Sequence, residues 1–265
     1  MATIIKNSLI VLGALLLFSG QLYADNNSEV GVVLLHAKGS TPEWLEDLAY
    51  KMKNKGFKVG TPELPWSRDR RYDKSYEDSM EEINAAVEKL KSSGVKKIIV
   101  AGQSMGANAA LYYGTLNKVD GIIAISPGHV PELRGFQRRL NGSPDKAREM
   151  IEAGNGDKKE SFTDINQSNS DTVYTTANIY DSYFNPEGSA VMSYNAANLQ
   201  EGNPLLWIIG TRDKRMMKKG TEYAFDDARD NPMNKYIEID GATHKNTPDK
   251  GANEIIAWIE AIAAK

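Results

Sequence analysis

The chain has 265 residues, of which 41% are apolar and 25% charged, and its formal net charge is −3. This composition predicts a soluble globular protein with a sizeable core, and no basic surplus points to nucleic acids or anionic membranes as partners. The absence of cysteine excludes disulfides, thiolate nucleophiles and cysteine metal sites.

The first 24 residues differ from the rest of the chain. They contain one early lysine, Lys6, and an apolar run over residues 9–18 that is too short to span a bilayer. The segment ends in the small residue Ala24, so the pattern predicts a signal peptide cleaved there, with an uncleaved N-terminal anchor as the alternative. Together with the lack of thiols, this indicates export from a bacterium into the periplasm or the medium, without stable membrane insertion after processing.

Residues 25–128 alternate apolar strands with amphipathic helices. Strands are predicted at 30–37, 96–102 and 119–128, a further strand that runs into a proline-rich loop is predicted within 57–66, and helices are predicted at 40–56, 75–94 and 107–116. Each strand is a nearly continuous apolar run. The pattern therefore predicts an α/β fold, with a mostly parallel central sheet and helices on both faces.

The alternation stops at residues 129–200, which are polar and contain helical patterns only near 144–153 and 175–188. This stretch has too few apolar residues for a core of its own, so we expect an inserted lid over the sheet. The alternation then returns, with strands predicted at 203–214 and 234–244 and helices at 216–228 and 248–263. We expect residues 25–265 to form a single domain.

The sequence Gly-Gln-Ser-Met-Gly, residues 102–106, lies between a predicted strand and a predicted helix. This context is typical of a nucleophile elbow, in which a serine occupies a strained turn and the small neighbours avoid clashes. Ser104 is therefore the candidate nucleophile. A purely structural turn between strand and helix is the alternative.

A serine hydroxyl needs a general base, and the base needs an orienting acid. His244 follows the last predicted strand and is the preferred base, with His129 as its rival. Asp213 follows the preceding strand and is the preferred acid, with Glu132 as the alternative. Because parallel strands end at one sheet edge, we expect Asp213 and His244 to lie near Ser104.

The charge that develops on the substrate oxygen during acyl attack needs two backbone donors. The N–H of Met105 is predicted as one donor, because it directly follows the serine. The N–H of Lys38, in the loop after the first strand, is predicted as the other. Ala37 stands in that loop where a glycine is usual.

Four residues are candidates for substrate contacts: His36, Arg71, His129 and Tyr183. His36 lies in the loop after the first strand, where it also fits a loop-shaping role. Arg71, with its neighbours Arg68 and Arg70, either binds an anionic substrate group or belongs to a solvated loop clamped by aspartates. Tyr183 either lines an acyl pocket or anchors the lid. No histidine and carboxylate spacing suggests a metal site.

The loop at His36–Ser40, the elbow at 102–106, and the turns at Asp213 and His244 resemble those of α/β-hydrolase-fold serine hydrolases. The chain resembles the small exported bacterial members of this esterase and lipase superfamily more than it resembles long-chain lipases. The resemblance implies a Ser-His-Asp mechanism without metal or organic cofactor, and it does not specify a substrate; our leading hypothesis is the hydrolysis of small-molecule carboxylic esters. A peptidase, amidase or thioesterase with the same residues remains open, as does a non-catalytic binding protein, and the sequence does not indicate the oligomeric state.

Overall fold

The structure is a computed structural model that describes residues 27–265. The predicted signal peptide lies outside the described residues and stays a prediction. Within the described range, no helix has both the length and the apolar character that crossing a membrane requires.

Six parallel strands form the central sheet, and two further strands form a separate antiparallel hairpin. In chain order the strands are β1 (Val30–Leu35), β2 (Lys58–Gly60), β3 (Lys97–Gln103), β4 (Gly121–Ile125), β5 (Lys159–Asn166), β6 (Asn169–Thr176), β7 (Leu205–Gly210) and β8 (Lys235–Ile239). The sheet order is β2-β1-β3-β4-β7-β8. The predicted parallel sheet is therefore confirmed.

Helices cover both faces of this sheet, as predicted. They are α1 (Glu46–Asn54), α2 (Asp78–Ser92), α3 (Met105–Leu116), α4 (Arg134–Gln137), α5 (Ser143–Glu152), α6 (Ala177–Phe184), α7 (Met192–Ala197), α8 (Lys214–Met217), α9 (Thr247–Lys250) and α10 (Ala252–Ala263). The buried side chains of α1 and α10 pack on one face, and those of α2, α3, α6 and α7 pack on the other.

Strand β1 shows how the sequence divides its apolar residues between the two faces. Val33 and Leu35 join the core beneath α2 and α3, whereas Val32 and Leu34 join the core beneath α1 and α10. All four are at most 1% exposed. Successive side chains of a strand point to opposite faces, so a strand covered on both sides must be apolar throughout.

The prediction for one element is wrong. Residues 216–228 do not form one helix: α8 ends at Met217, and two short 3-10 turns follow at Thr221–Tyr223 and Phe225–Asp227. Gly220 lies between α8 and the first of these turns and has a positive φ of 62°, so the helix cannot continue through it. Within residues 57–66, where a strand running into a proline-rich loop is predicted, the strand is the three-residue β2 and the loop follows it.

The hairpin of β5 and β6 was not predicted. Asn166 pairs with Asn169 across a two-residue turn, and Gln167 in that turn has a φ of 55°. The turn lacks the Asn-Gly or Asp-Gly pair that usually marks such hairpins. The alternation of buried Val173 and exposed Tyr174 is the signal that was available.

The inserted segment, residues 129–200, shares its core with the sheet. Its buried aromatic residues lie in the same cluster as the side chains beneath α2 and α3: Phe162, Tyr180, Tyr183 and Phe184. Asn108 of α3 donates through Nδ2 to the carbonyls of His129 at 2.7 Å and Ala190 at 2.8 Å. These bonds attach both ends of the segment to the central helix.

Two glycines allow β1, β3 and the start of α3 to approach one another. A Cβ at Gly102 would lie 2.2 Å from the carbonyl oxygen of Gly106, and a Cβ at Gly106 would lie 2.3 Å from that of Leu35. Contacts this short with backbone atoms cannot be relieved by a side-chain rotation. The helix can therefore begin directly above the sheet edge only with glycine at both positions.

The substitution Gly106→Ala is expected to lower the free energy of unfolding by about 1–3 kcal/mol or more, because backbone must move to admit the methyl group. Urea unfolding followed by circular dichroism measures this. Gly60→Ala is the control, since its Cβ would meet only Leu90 atoms at 3.7 Å and beyond. Equal stabilities of the two variants would contradict the close-approach argument.

Candidate active site

Three side chains form a hydrogen-bonded series at the carboxyl edge of the sheet. Ser104 Oγ lies 2.9 Å from His244 Nε2, and His244 Nδ1 lies 2.6 Å from Asp213 Oδ2. Ser104 follows β3, Asp213 follows β7 and His244 follows β8. Asp213 is buried, whereas the His244 side chain is 19% exposed. The structure therefore brings together the three residues predicted as nucleophile, acid and base.

Ser104 has a backbone conformation that residues other than glycine rarely adopt, with φ 57° and ψ −113°. Its N–H donates to the carbonyl of Ile125 at 3.1 Å, and α3 begins at the next residue. Strain of this kind persists only where the surroundings impose it, and it is concentrated at functional sites. Here it holds the hydroxyl out of the strand–helix turn.

Gly128 completes the wall beside the hydroxyl. A Cβ at this position would lie 2.8 Å from Ser104 Oγ and 3.3 Å from His244 Cε1. Sequence analysis did not single out Gly128, although the sequence Ser-Pro-Gly directly after β4 places it at the same sheet edge. Any larger residue there would block the space in front of the serine.

Gln103 fixes the turn that carries His244. It is 1% exposed, and its Nε2 donates to the carbonyls of His244 at 2.8 Å and Lys245 at 3.2 Å. Within that turn, the Thr243 N–H donates to Asn246 Oδ1 at 2.7 Å. Sequence analysis named Gln103 only as part of the elbow sequence and missed its role in holding the turn of His244.

Of the two predicted oxyanion donors, one directly follows Ser104 in the sequence and the other follows the strand next to β3 in the sheet. Met105 is the first residue of α3, where backbone N–H groups have no partner inside the helix. Lys38 follows β1, the strand next to β3. Asn166 of the hairpin donates to the Lys38 carbonyl at 3.0 Å, which fixes the backbone of this loop.

The Lys38 side chain forms a buried ion pair with the hairpin. Lys38 Nζ lies 2.6 Å from Asp164 Oδ1 and 2.6 Å from the Ile165 carbonyl, and the Tyr72 hydroxyl donates to Asp164 Oδ2 at 2.9 Å. Burial acts to raise the pKa of Asp164, but the Lys38 ammonium and the two hydrogen bonds outweigh it and leave that pKa below its ordinary value. Asp164 was not predicted as a functional residue.

A cavity of about 500 Å³ opens in front of Ser104. The inserted segment contributes one side of it, and the turns after β7 and β8 contribute the other. The residues of the inserted segment that line the cavity are His129, Val130, Phe136, Arg139, Ile165, Asn166, Gln167 and Ser168. Within residues 27–265, no three histidine, aspartate or glutamate side chains converge in a way that would hold a metal ion.

Three of the four residues expected to contact substrate do not line this cavity. His36 is fully buried; its Nδ1 lies 2.9 Å from the Ala37 carbonyl, and its Nε2 accepts from the Leu64 N–H. Tyr183 is also fully buried, and its hydroxyl bonds to Ser79. His36 therefore shapes its loop and Tyr183 anchors the inserted segment.

Arg71 is the third, and it contacts the hairpin instead. Its guanidinium donates to the Thr172 carbonyl at 3.0 Å. The neighbouring Arg70 forms two hydrogen bonds to Glu82 and one to Asp73. The arginine-rich loop is thus clamped by carboxylates rather than directed at Ser104.

His129 lines the cavity but is not hydrogen-bonded to Ser104. Its Nε2 donates to the Tyr183 carbonyl at 2.5 Å, and burial together with the nearby Lys38 ammonium lowers its pKa to about 3. The imidazole is therefore neutral. Glu132, the alternative acid, accepts a hydrogen bond from Tyr223 instead of His244, and burial raises its pKa.

A six-stranded parallel sheet with a serine on a strained turn at its carboxyl edge is the arrangement of the α/β-hydrolase fold. The family model described as Hydrolase_4, serine aminopeptidase S33, matches residues 26–250. The chain therefore belongs to this family of hydrolases. No curated protein matches the chain.

Solved structures of lipases and esterases share the fold. A structure from work on LipS and LipT, two metagenome-derived lipolytic enzymes, has 16% identity and a TM-score of 0.63, covering 90% of this chain and 94% of that one. A monoacylglycerol lipase of Paleococcus ferrophilus has 19% identity and a TM-score of 0.63, with coverages of 88% and 94%. Est1E from Butyrivibrio proteoclasticus has 14% identity and a TM-score of 0.60, with coverages of 89% and 88%.

The substitution Gln103→Leu is expected to loosen the turn at 243–246, because two carbonyl groups lose their donor. We expect the free energy of unfolding to fall by about 1–3 kcal/mol and amide hydrogen exchange in that turn to become faster. Gln200→Leu is the control, since Gln200 makes an exposed bond to the Thr115 carbonyl. Unchanged exchange at 243–246 in Gln103→Leu would refute the positioning role.

The substitution Asp164→Asn leaves the Lys38 ammonium buried without a countercharge. We expect the free energy of unfolding to fall by about 3–5 kcal/mol at pH 7. Since the folded state lowers the Asp164 pKa, the ion pair stabilises the wild type above the ordinary aspartate pKa and loses this effect as pH falls below it, so the two proteins should converge in acid.

Urea unfolding at pH 7 and near pH 3 measures both effects. The control is Asp171→Asn, which removes an exposed pair with Arg71 at 3.8 Å and should cost about 1 kcal/mol at most. The double variant Lys38→Met with Asp164→Leu should recover much of the loss, because no buried charge remains. A loss as small as that of Asp171→Asn would contradict the prediction.

Proposed function

We propose that the protein hydrolyses carboxylic esters of small molecules, with Ser104 as its nucleophile. The observation that carries the proposal is the hydrogen-bonded series from Asp213 through His244 to Ser104 at a cavity of about 500 Å³. A cavity of this size suits a small-molecule substrate. The lipolytic enzymes and esterases of the same fold agree with an ester substrate.

In the first half of the reaction, Ser104 Oγ attacks the acyl carbon while His244 Nε2 takes its proton. The Asp213 carboxylate accepts a hydrogen bond from the Nδ1–H of His244, which keeps Nε2 available as the base and stabilises the imidazolium that forms. The backbone N–H groups of Met105 and Lys38 stabilise the negative charge on the former carbonyl oxygen. His244 then protonates the leaving alcohol as the ester bond breaks.

In the second half, water enters the space left by the alcohol and attacks the acyl-enzyme. His244 takes a proton from this water and returns it to Ser104 Oγ as the acid departs. The reaction thus consumes one ester and one water and releases one alcohol and one acid. We propose that residues 129–200 act as the lid of this site, because they line one side of the cavity.

The family description raises an aminopeptidase as the second candidate function. Such an enzyme must hold the protonated amino terminus of a peptide, which calls for an accepting carboxylate close to the nucleophile. Among the described residues that line the cavity, the one carboxylate is Asp213, and it is bonded to His244. This charge distribution favours an ester over a peptide with a free amino terminus.

Export of the mature chain, with cleavage after Ala24, remains a proposal. The sequence of the first 24 residues supports it.

The substitution Ser104→Ala is expected to lower the hydrolysis of short 4-nitrophenyl esters by about 10³-fold or more, because it removes the nucleophile. It should also abolish labelling by a fluorophosphonate probe, which reacts with activated serines. Ser92→Ala is the control, since Ser92 lies exposed at the end of α2.

Steady-state rates and the mass of the labelled protein give the readout. Parallel assays with thioester and peptide substrates test the alternatives to the ester. An unlabelled wild type would instead favour a non-catalytic binding protein, and an unchanged rate in Ser104→Ala would refute the assignment of the nucleophile.

A further inference from the structure

The cavity in front of Ser104 is strongly basic at its rim. Four exposed or partly exposed basic side chains line it in addition to the buried Lys38: Arg139, Arg212, Lys214 and Lys245. The single lining carboxylate, Asp213, already accepts a hydrogen bond from His244. Because the whole chain carries a net charge of −3, the positive excess is a local property of this cavity.

Three of these cations lie on the two turns that carry Asp213 and His244. Arg212 and Lys214 flank Asp213 in the sequence, and Lys245 follows His244. The two turns are joined by a hydrogen bond from the Arg212 N–H to the Ala242 carbonyl at 2.8 Å. Gln103 holds the Lys245 carbonyl at 3.2 Å. The backbones that present these charges are therefore fixed relative to the imidazole.

The charges of these three side chains are not neutralised within the described part of the chain. Arg212, Lys214 and Lys245 are all exposed, and no carboxylate of residues 27–265 forms an ion pair with any of them. The Lys245 ammonium lies 5.9 Å from the centre of the Trp44 ring, an interaction that orients the charge without cancelling it. By contrast, Arg70 is paired with two carboxylates.

The rest of the cavity surface is apolar in part. Val130, Phe136 and Ile165 contribute from the inserted segment, and Met216 contributes from α8. A ligand bound here would thus meet both apolar side chains and cations. Cations that line a recessed site focus its potential and attract a ligand of opposite charge.

We propose that the substrate of this site is an ester that carries an anionic group, a carboxylate or a phosphate, bound by Arg212, Lys214 and Lys245. The inference rests on the proposed ester hydrolysis and adds the substrate class. The apolar side chains of the cavity lining receive the uncharged part of the substrate. Arginine and lysine both bind carboxylate and phosphate oxygens through charge-assisted hydrogen bonds.

Matched pairs of esters test the proposal on both sides of the scissile bond. The acyl-side pair is 4-nitrophenyl hydrogen glutarate against 4-nitrophenyl pentanoate. The alcohol-side set is 4-acetoxybenzoate and 4-acetoxyphenyl phosphate against methyl 4-acetoxybenzoate, so that carboxylate and phosphate are compared directly. Each kcat/KM is divided by the rate of the same ester with hydroxide, which removes intrinsic reactivity.

In at least one set we expect the anionic ester to be preferred by about tenfold at low ionic strength, mainly through a lower KM. The preference should shrink as sodium chloride is added, because exposed charges are screened. In the triple variant Arg212→Gln, Lys214→Gln, Lys245→Gln, the ratio of anionic to neutral kcat/KM should fall to about 1.

The control is the triple variant Lys53→Gln, Lys89→Gln, Lys235→Gln, which makes the same change in net charge with exposed lysines outside the cavity lining. It should keep the wild-type ratio. Hydrolysis of neutral and anionic esters at equal normalised rates by the wild type would overturn the proposal, as would an equal loss of preference in both triple variants. If the wild type cleaved no ester and Ser104 resisted the fluorophosphonate, the proposed function itself would fail.

Discussion

The site depends on the close approach of three backbone segments at the carboxyl edge of the sheet. With glycine at 102 and 106, the first turn of α3 lies against the end of β1, and Ser104 is held at φ 57° between them. This one constraint sets the direction of the serine hydroxyl, exposes the N–H groups at the start of α3 and brings the loop after β1 beside them. The remaining side chains are arranged around a point that the backbone has already fixed.

A second feature, the ion pair of Lys38 with Asp164, connects this point to the inserted segment. Lys38 belongs to the loop after β1, so its side chain and its carbonyl both bind the hairpin while its N–H is the proposed oxyanion donor. The position of the hairpin and the geometry of the loop are thus coupled. A buried ion pair is weak evidence for stability, since apolar replacements of both partners are often as stable. Its geometric role explains better why charge is buried here.

Much of the fold and the three central side chains were predictable, because they depend on local patterns. Apolar runs gave the parallel sheet, and its topology requires that Ser104, Asp213 and His244 lie at one edge. The inserted segment was less predictable, since its hairpin turn at Gln167 lacks a glycine and its partners are far away in sequence. Asp164 pairs with a lysine 126 residues away, a contact that no local pattern encodes. The sequence left two roles open for His36 and for Tyr183 for a related reason, because a position in a loop or in the inserted segment predicts proximity to the site and not the direction of a side chain.

The sequence offered two roles for the arginine-rich loop, binding of an anionic substrate group or pairing with nearby carboxylates, and the distribution of charge favours the second. That loop contains several basic residues, but Arg70 is bound to Glu82 and Asp73 and therefore offers little field to a ligand. The turns at Asp213 and His244 contribute three cations to the cavity lining, and none of these three has a carboxylate partner within the described residues. The number of cations in a segment is thus a poor guide to anion binding. What decides the potential at the serine is which cations the fold leaves without a countercharge and which surface they line.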